Sequence, residues 1–494
     1  MTLNPHNLYR SKQVTEMDRF AIEQFEIPGN VLMERAGEAA FNKCTLNWPE
    51  TKSMVVLCGI GNNGGDGFVV ARLAAEAGIK TTVLQLGDSK KLQGDAFAAA
   101  QRLFSVGIEP ETFKNQNLSK YDIIIDALLG TGLRREVSGV WLHAITAINF
   151  SGVPVLSLDI PSGLNGDTGV PLGESVIANC TISFIGLKQG LLTGQAAEYC
   201  GELAFDNLNI PDAIYNKFQP SAVRLKYHKL VHRLKAREQS AHKGNFGHVV
   251  VIGGDEGYLG AIRLAGEAAL RTGAGLVSIA TRSSHSYVVN VNCPELMCHG
   301  IETADALSIL LKKATNIVIG PGLGQSDWAL EMFKEALAHD LPTVVDADAL
   351  NLLAKQPTQN KNWILTPHPG EAARLLAVSV TEIQHDRYAA ISKLKERYDG
   401  VVILKGRGTL IAVKQELIGV CAEGNPGMAS GGMGDVLSGI IGGLIAQGLS
   451  KANATRLAVC VHCAAADNAA LEFGERGLLA SDLMPWIRNL VNPK

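Results

Sequence analysis

The stretch SMVVLCGIGNNGGDGF, Ser53 to Phe68, decides the fold of the first half of the chain. Its apolar run, Ser53–Ile60, has the length and β-branched content of a buried strand, and it gives way to glycines where a helix has to begin. Gly59-Ile60-Gly61-Asn62-Asn63-Gly64 satisfies G-x-G-x-x-G at the strand-to-helix turn where a dinucleotide fold uses it. Small residues there let a ligand approach the backbone, and the helix N-terminus offers its amides to phosphate. The spacing alone is weak. Asn62-Asn63-Gly64-Gly65-Asp66 departs from the ordinary nicotinamide fingerprint, because its side-chain oxygens suit hydrogen bonding or a hard monovalent cation. A tight turn with an Asp cap is the alternative. The helix is expected over Gly67–Ala77.

Outward from this stretch the same rhythm repeats. Thr81–Gly87, Asp122–Leu129, Pro154–Ile160 and Cys180–Gly186 read as further strands, with a helix at about Asp95–Val106 between them. The alternation restarts with His248–Gly254, Gly275–Thr281, Asn316–Gly322, Pro342–Asp348, Trp363–His368 and Val401–Gly406. Strands alternating with helices predict parallel sheets covered on both faces, an α/β chain. The rhythm pauses from Lys217 to Lys243, where basic and polar residues dominate. A solvated connector with a short docking helix is preferred there over a DNA-contacting arm. Domains 1–220 and 221–494 follow, the seam lying at about Gln219–Arg224.

At about 150 residues per domain, 494 residues exclude a single small domain. With 46% hydrophobic and 19% charged residues the chain can bury large cores, and its 52 glycines suggest many tight loops near ligands. Lys and Arg number 45 against 48 Asp and Glu, so no global field recruits nucleic acid or an anionic membrane. Nine scattered cysteines and no targeting segment lead to a cytoplasmic expectation. Val137–Leu158 is uncharged and membrane-length, but Ser138, His143, Thr146, Asn149, Ser151 and Pro154 make it an amphipathic helix running into a strand. Cys460-Val461-His462-Cys463 lacks a second pair at finger spacing and is expected to be structural, within a buried helix.

Two further loops of the first half follow strands, at the carboxyl ends where open α/β sheets bind ligands. They are Asp126–Leu133 and Asp159–Gly169. If the strands are adjacent, Asn63, Asp126 and Ser162 converge as oxygen donors at one rim. Asp159, before a Pro-Ser-Gly turn, is a candidate acid/base that Lys188 can pair with.

In the second half, Asn425–Asp435 is a glycine-rich loop immediately before an apolar helix, Val436–Ala446. Its amides can surround an anion, and Asp435 in the first turn can deprotonate a hydroxyl. This resembles the G-x-G-D anion hole and base of ribokinase-like phosphotransferases, and no Walker-type loop occurs in the chain. Lys405-Gly406-Arg407-Gly408-Thr409 joins two strands where that fold contacts nucleotide. Asp346 and Glu371 can hold Mg²⁺ through water, and His368 can contact substrate.

Taken in order, Met33–Gly37, Gly61–Gly67, Asp126–Leu133, Leu158–Gly169, His242–Gly254, GPGLG, DADAL, TPHPGE, KGRGT and GGMGDVLSG resemble the bifunctional NAD(P)H-hydrate repair family over nearly the whole chain. Members join an epimerase to an ADP-dependent dehydratase. The resemblance implies a Rossmann-like three-layer domain followed by a ribokinase-like domain. The implied substrates are NADHX and NADPHX, in which water has added across a double bond of the dihydronicotinamide ring, with ADP as co-substrate. It puts substrate on Asn62, Asn63, Gly64, Gly65, Asp66, Gly130, Thr131, Gly132, Leu133, Arg134, Arg135, Glu136 and Asp159, and K⁺ on Asn63, Asp126 and Ser162. In the second domain it puts the hydrated cofactor at Ala261, Gly322, His368 and Asp435. Nucleotide falls to Lys405, Gly406, Arg407, Gly408, Thr409 and Gly434, with Mg²⁺ and with Asp435 as base. A homo-oligomer is expected, with no nucleic-acid or membrane partner. The competing reading is a ribokinase-class small-molecule kinase with a fused nucleotide-binding or sensor domain.

Overall fold

A computed structural model describes residues 6–492. The chain divides into two compact units, Met1–Val223 and Arg224–Lys494.

The first unit holds a sheet in the order Glu111–Thr112, Lys80–Gln85, Ser53–Cys58, Ile123–Ala127, Val155–Leu158, Cys180–Phe184, Glu202–Asp206, with every junction parallel. Alternate residues of the central strand serve two cores. Met54, Val56 and Cys58 join the helices Ser11–Phe25, Gly29–Asn47, Asn62–Glu76 and Gly94–Ser105. Val55 and Leu57 join Ala144, Ile145 and Ile148 of the helix Gly139–Asn149. Burial on both faces is why these strands read as unbroken apolar runs, and it produces the three-layer Rossmann-like arrangement. From Ser53–Cys58 the chain builds first toward Glu111 and then, from Ile123, toward Glu202. That reversal opens a crevice between Ser53–Cys58 and Ile123–Ala127.

Two features differ from the sequence expectation. The helix starts at Asn62 rather than Gly67, so the Asn-Asn-Gly-Gly-Asp segment is its first turn and not a loop. Glycine lets this turn pack on the residue that follows the strand: a Cβ on Gly64 would lie 2.1 Å from Gly59 O. The edge strand Glu202–Asp206 and the two N-terminal helices add to the expected set, the strand being only half-buried.

In the second unit the strands run, in order, Ile418–Cys421, Thr409–Ala412, Val401–Leu404, Trp363–Leu365, Thr343–Val345, Asn316–Ile319, His248–Ile252, Leu276–Thr281, Met297–Gly300. The first two junctions are antiparallel and the rest parallel. The helix Met433–Ala446 is buried almost all round, which its apolar sequence requires. It touches the helix Leu259–Thr272 backbone to backbone: a Cβ on Gly439 would stand 2.1 Å from Ala265 O. Cys460 and Cys463 are buried in the helix Lys451–Phe473. Among the described residues no cluster of His, Cys, Asp or Glu is suited to a metal ion, and no helix is long and apolar enough to cross a membrane.

Candidate active sites

The crevice of the first unit is a cavity of about 750 Å³. Strand ends and helix starts supply its lining: Ile60–Asn63 and Asp66, the loop Leu128–Ser138, Asp159, and Lys188. Thr15, Asp18 and Ile22, spaced three and four apart on the helix Ser11–Phe25, form a further wall. Of the expected substrate residues, Asn62, Asn63, Asp66, Gly130–Glu136 and Asp159 line the cavity, whereas Gly64 and Gly65 do not. Gly64 packs against Gly59 O, and a Cβ on Gly65 would meet the Met33 thioether at 2.6 Å. They act as packing glycines that let the helix start close to the strand.

Asp126, next to last in its strand, is fully buried, with its carboxylate accepting from Ser162 Oγ at 2.6 Å, Ser162 N at 2.9 Å and Ser157 Oγ at 2.8 Å. Burial pushes this carboxyl up, and the Ser162 hydrogen bonds oppose the shift. Asn63 lines the cavity nearby, and Gly130 lies close enough that its Cβ would be 3.4 Å from Asn63 Cβ. The Asn63 amide is buried, and neither Nδ2 nor Oδ1 has a hydrogen-bond partner. A buried amide left unsatisfied on both sides needs an explanation, and a bound ligand or ion supplies one.

Asp159 takes a left-handed φ of 64°, a strained conformation for a non-glycine residue. Its carboxylate pairs with Lys188 Nζ and accepts from Phe184 N at 3.2 Å. The buried Lys188 ammonium also donates to Ser183 Oγ and Phe184 O, both at 3.1 Å. Asp66 is pushed well above the carboxylate range by burial, then by Asp159 and Asp18, with Lys188 opposing. Asp18 is raised as well, by burial and then by Asp159 and Asp95. The sequence reading named Asp66 only as a binding residue and missed Asp18, which no motif announces.

In the second unit the glycine-rich turn leads into the helix at Met433, after Gly432 at φ 90°. A Cβ on Gly434 would lie 3.2 Å from Lys405 Nζ, so the lysine packs closely against this glycine. Lys405 Nζ stands 2.9 Å from Asp346 Oδ1 and 3.8 Å from Glu371 Oε2, and Ser438 Oγ donates to Asp346 Oδ2 at 2.8 Å. Burial, followed by Asp346, lifts Asp435 to about 7, with Lys405 opposing. Burial also raises Glu371 to about 7, against the pull of Lys405. Asp435 is therefore a carboxyl that can take or give a proton near neutrality.

His368 caps the helix Pro369–Leu376, its Nδ1 accepting from Gly370 N at 3.0 Å, while His368 N donates to Glu371 Oε2 at 2.8 Å. Burial and Lys405 hold its imidazole below the usual range. In the turn before Thr409, Gly424 O accepts from Arg407 Nη1 at 2.5 Å and Gly406 O from Thr409 Oγ1 at 2.8 Å. Gly322, at φ 58°, abuts Tyr258 and Ala261. One turn beyond Ala261, Leu264 packs on Gly432, which ties this end of the helix to the glycine-rich turn.

A Rossmann-like unit with a polar crevice at its switch point, followed by a ribokinase-like unit with an Asp at a glycine-rich helix start, defines a two-site α/β enzyme. Residues 29–190 match the family model of the YjeF-related protein N-terminus, and residues 249–489 that of the NAD(P)H-hydrate dehydratase. The chain is 51% identical over 486 residues to a bifunctional NAD(P)H-hydrate repair enzyme of Coxiella burnetii, covering 98% of this chain and 99% of that one. It is 44% identical to the enzyme of the same description from Escherichia coli, covering 99% and 95%. A ribokinase-like superfamily protein of Enterococcus faecalis shares the fold with TM-score 0.51 and 29% identity, over 54% of this chain and 94% of that one. The chain belongs to the bifunctional NAD(P)H-hydrate repair enzymes, as its motifs led one to expect.

Proposed function

We propose that the first unit interconverts the R and S forms of NADHX and NADPHX, and that the second dehydrates the S form with ADP, leaving AMP and phosphate. The observation that carries the reading is Asp435. It is a carboxyl at about 7, in the first turn of a helix that opens on glycine amides, beside the Lys405–Asp346 pair.

Hydroxide is a poor leaving group. Asp435 takes the proton of the ring hydroxyl as that oxygen attacks the terminal phosphorus, the Gly431–Gly434 amides hold the transferring anion, and Lys405–Thr409 hold the nucleotide. The ring nitrogen's lone pair then expels phosphate and loss of a proton restores NAD(P)H. Ala261, Gly322 and His368 border the hydrated cofactor, His368 doing so from its capping position. Asp346 is committed to Lys405 and Ser438, so Mg²⁺ would be held chiefly by the phosphates, with Glu371 as the carboxylate that could meet its hydration shell. There it would neutralise developing phosphate charge.

In the first unit the unsatisfied Asn63 amide, the buried Asp126 carboxylate and Ser162 Oγ suit K⁺, which would supply a fixed positive charge beside the substrate. Asn62, Asp66 and Gly130–Glu136 contact the hydrated cofactor, and Asp159 with Lys188 handles protons. The test is to incubate mixed R and S NADHX with ADP and Mg²⁺, following chiral separation and the return of dihydronicotinamide absorbance. Full recovery of both forms is expected. A stable phosphorylated product would replace this reading with a kinase.

A further inference from the structure

By way of a ring C=N⁺, two hydrates interconvert when the ring C–O bond breaks and re-forms on the other face. When it breaks, the ring nitrogen's lone pair forms C=N⁺ and the oxygen leaves as water, carrying a proton that an acid must supply. When water adds again, the same carboxylate takes the proton back. Asp159 and Lys188 are held together as one ion pair, and Asp66 is a second carboxyl lining the same cavity.

We propose that Asp18, on the helix Ser11–Phe25, is a positioning residue of the epimerisation site that works through Asp66, the carboxyl that meets the substrate hydroxyl. The inference rests on the epimerase reading of the first unit. Both carboxyls line the same cavity, together with the unsatisfied Asn63 amide, which marks that cavity as a place for a ligand. Asp18 lies outside residues 29–190, so the matched family segment does not contain it. Its helix is nevertheless fixed in place: Val14, Met17 and Ala21 are buried in the main core, and Ser11 N donates to Asp167 Oδ1 at 2.6 Å.

The charges around Asp18 come from several elements. Asp66, Asp95 and Asp159 face the cavity with Lys188, and the loop carries Arg134, Arg135 and Glu136. On its own helix, Lys12 with Glu16 and Arg19 with Glu23 pair on the exposed side. Asp212 and Tyr215 belong to the short helix packed against it. Lys188 is the buried cation of this group and pairs with Asp159, so Asp18 and Asp66 share a region where one added negative charge is resisted by the others. Burial and these neighbouring carboxylates raise both carboxyls above their ordinary range, toward the protonated form that a general acid uses.

The full chain is assayed for R/S exchange of NADHX above the uncatalysed rate, from pH 5 to 9, with dehydration of purified S-NADHX as an internal control. For Asp18→Asn we expect a loss of exchange of about 10²-fold near neutral pH, with the alkaline limb moved down by about one pH unit. Asp18→Glu keeps the limb in place and restores most of the rate, and dehydration is unchanged in both variants. Exchange by Asp18→Asn at the wild-type rate with an unmoved limb overturns the role of Asp18. Failure of Asp18→Glu to recover exchange, with dehydration intact, also overturns it. If the wild-type chain itself gives no exchange, the epimerase reading falls and this inference falls with it.

Discussion

Lys405 Nζ stands 2.9 Å from Asp346 Oδ1, joining residues 59 positions apart at the ends of two strands of one sheet. Asp346 is 1% exposed and Lys405 lies alongside Gly434, so the pair is both a support of the second unit and the floor of its candidate nucleotide site. Lys405→Met leaves a buried carboxylate without its cation. The expected cost is about 3 kcal/mol, read from urea unfolding of the second unit, together with a loss of dehydration. An unchanged midpoint would show that water or a neighbour replaces the lysine.

Asp435 gives a prediction with a definite sign. Its carboxyl titrates at about 7, so below that pH it is increasingly protonated and cannot accept the hydroxyl proton. Dehydration of S-NADHX at saturating ADP is expected to fall about tenfold per pH unit below neutrality. Asp435→Asn should remove dehydration while R/S exchange persists. Retained dehydration in that variant would take Asp435 out of the chemistry.

The parallel strands were legible because burial on both faces writes them as continuous apolar runs, as in Val55–Leu57 and Ile123–Ile125. The antiparallel turn at Lys405–Thr409 and the glycine-rich helix start were legible because glycines cluster in both, where the chain turns tightly and Lys405 packs close to Gly434. The true helix start was not. Asn62-Asn63-Gly64-Gly65-Asp66 has low helix propensity, and only packing against Gly59 and Met33 makes it helical. Asp18 was illegible for a different reason, since one aspartate on an amphipathic helix carries no spacing signal. Its meaning arises when the fold brings Asp66 and Asp159 to the same cavity.

The candidate K⁺ site is testable from outside its first ring of ligands. Ser157 Oγ donates to Asp126 at 2.8 Å from within the strand Val155–Leu158 and does not line the cavity. Ser157→Ala removes one of the hydrogen bonds that orient Asp126 and leaves those from Ser162, and the K⁺ concentration for half-maximal R/S exchange is expected to rise severalfold, up to about tenfold. Replacing K⁺ with Li⁺ in the wild-type chain should slow exchange without touching dehydration. Exchange indifferent to both changes would leave the Asn63 amide to the substrate alone.

Gly439 sits where the helices Leu259–Thr272 and Met433–Ala446 touch, and a methyl group there would stand 2.1 Å from Ala265 O. That oxygen belongs to a helix backbone, so nothing flexible can yield, and the two helices must separate by about a methyl radius. Overpacking of this kind costs about 1–3 kcal/mol. The same two helices carry Ala261 and Leu264 at one start and Gly434 and Asp435 at the other, so separation also moves the candidate base Asp435 away from Ala261. Gly439→Ala is therefore expected to lower the stability of the second unit and, at temperatures where it stays folded, to reduce the rate of dehydration more than the affinity for ADP. Exchange by the first unit provides the control in the same sample. A variant that melts with the wild type and dehydrates at full rate would mean that the helices slide past the methyl group, and that the spacing of Asp435 from Ala261 is not set by glycine packing.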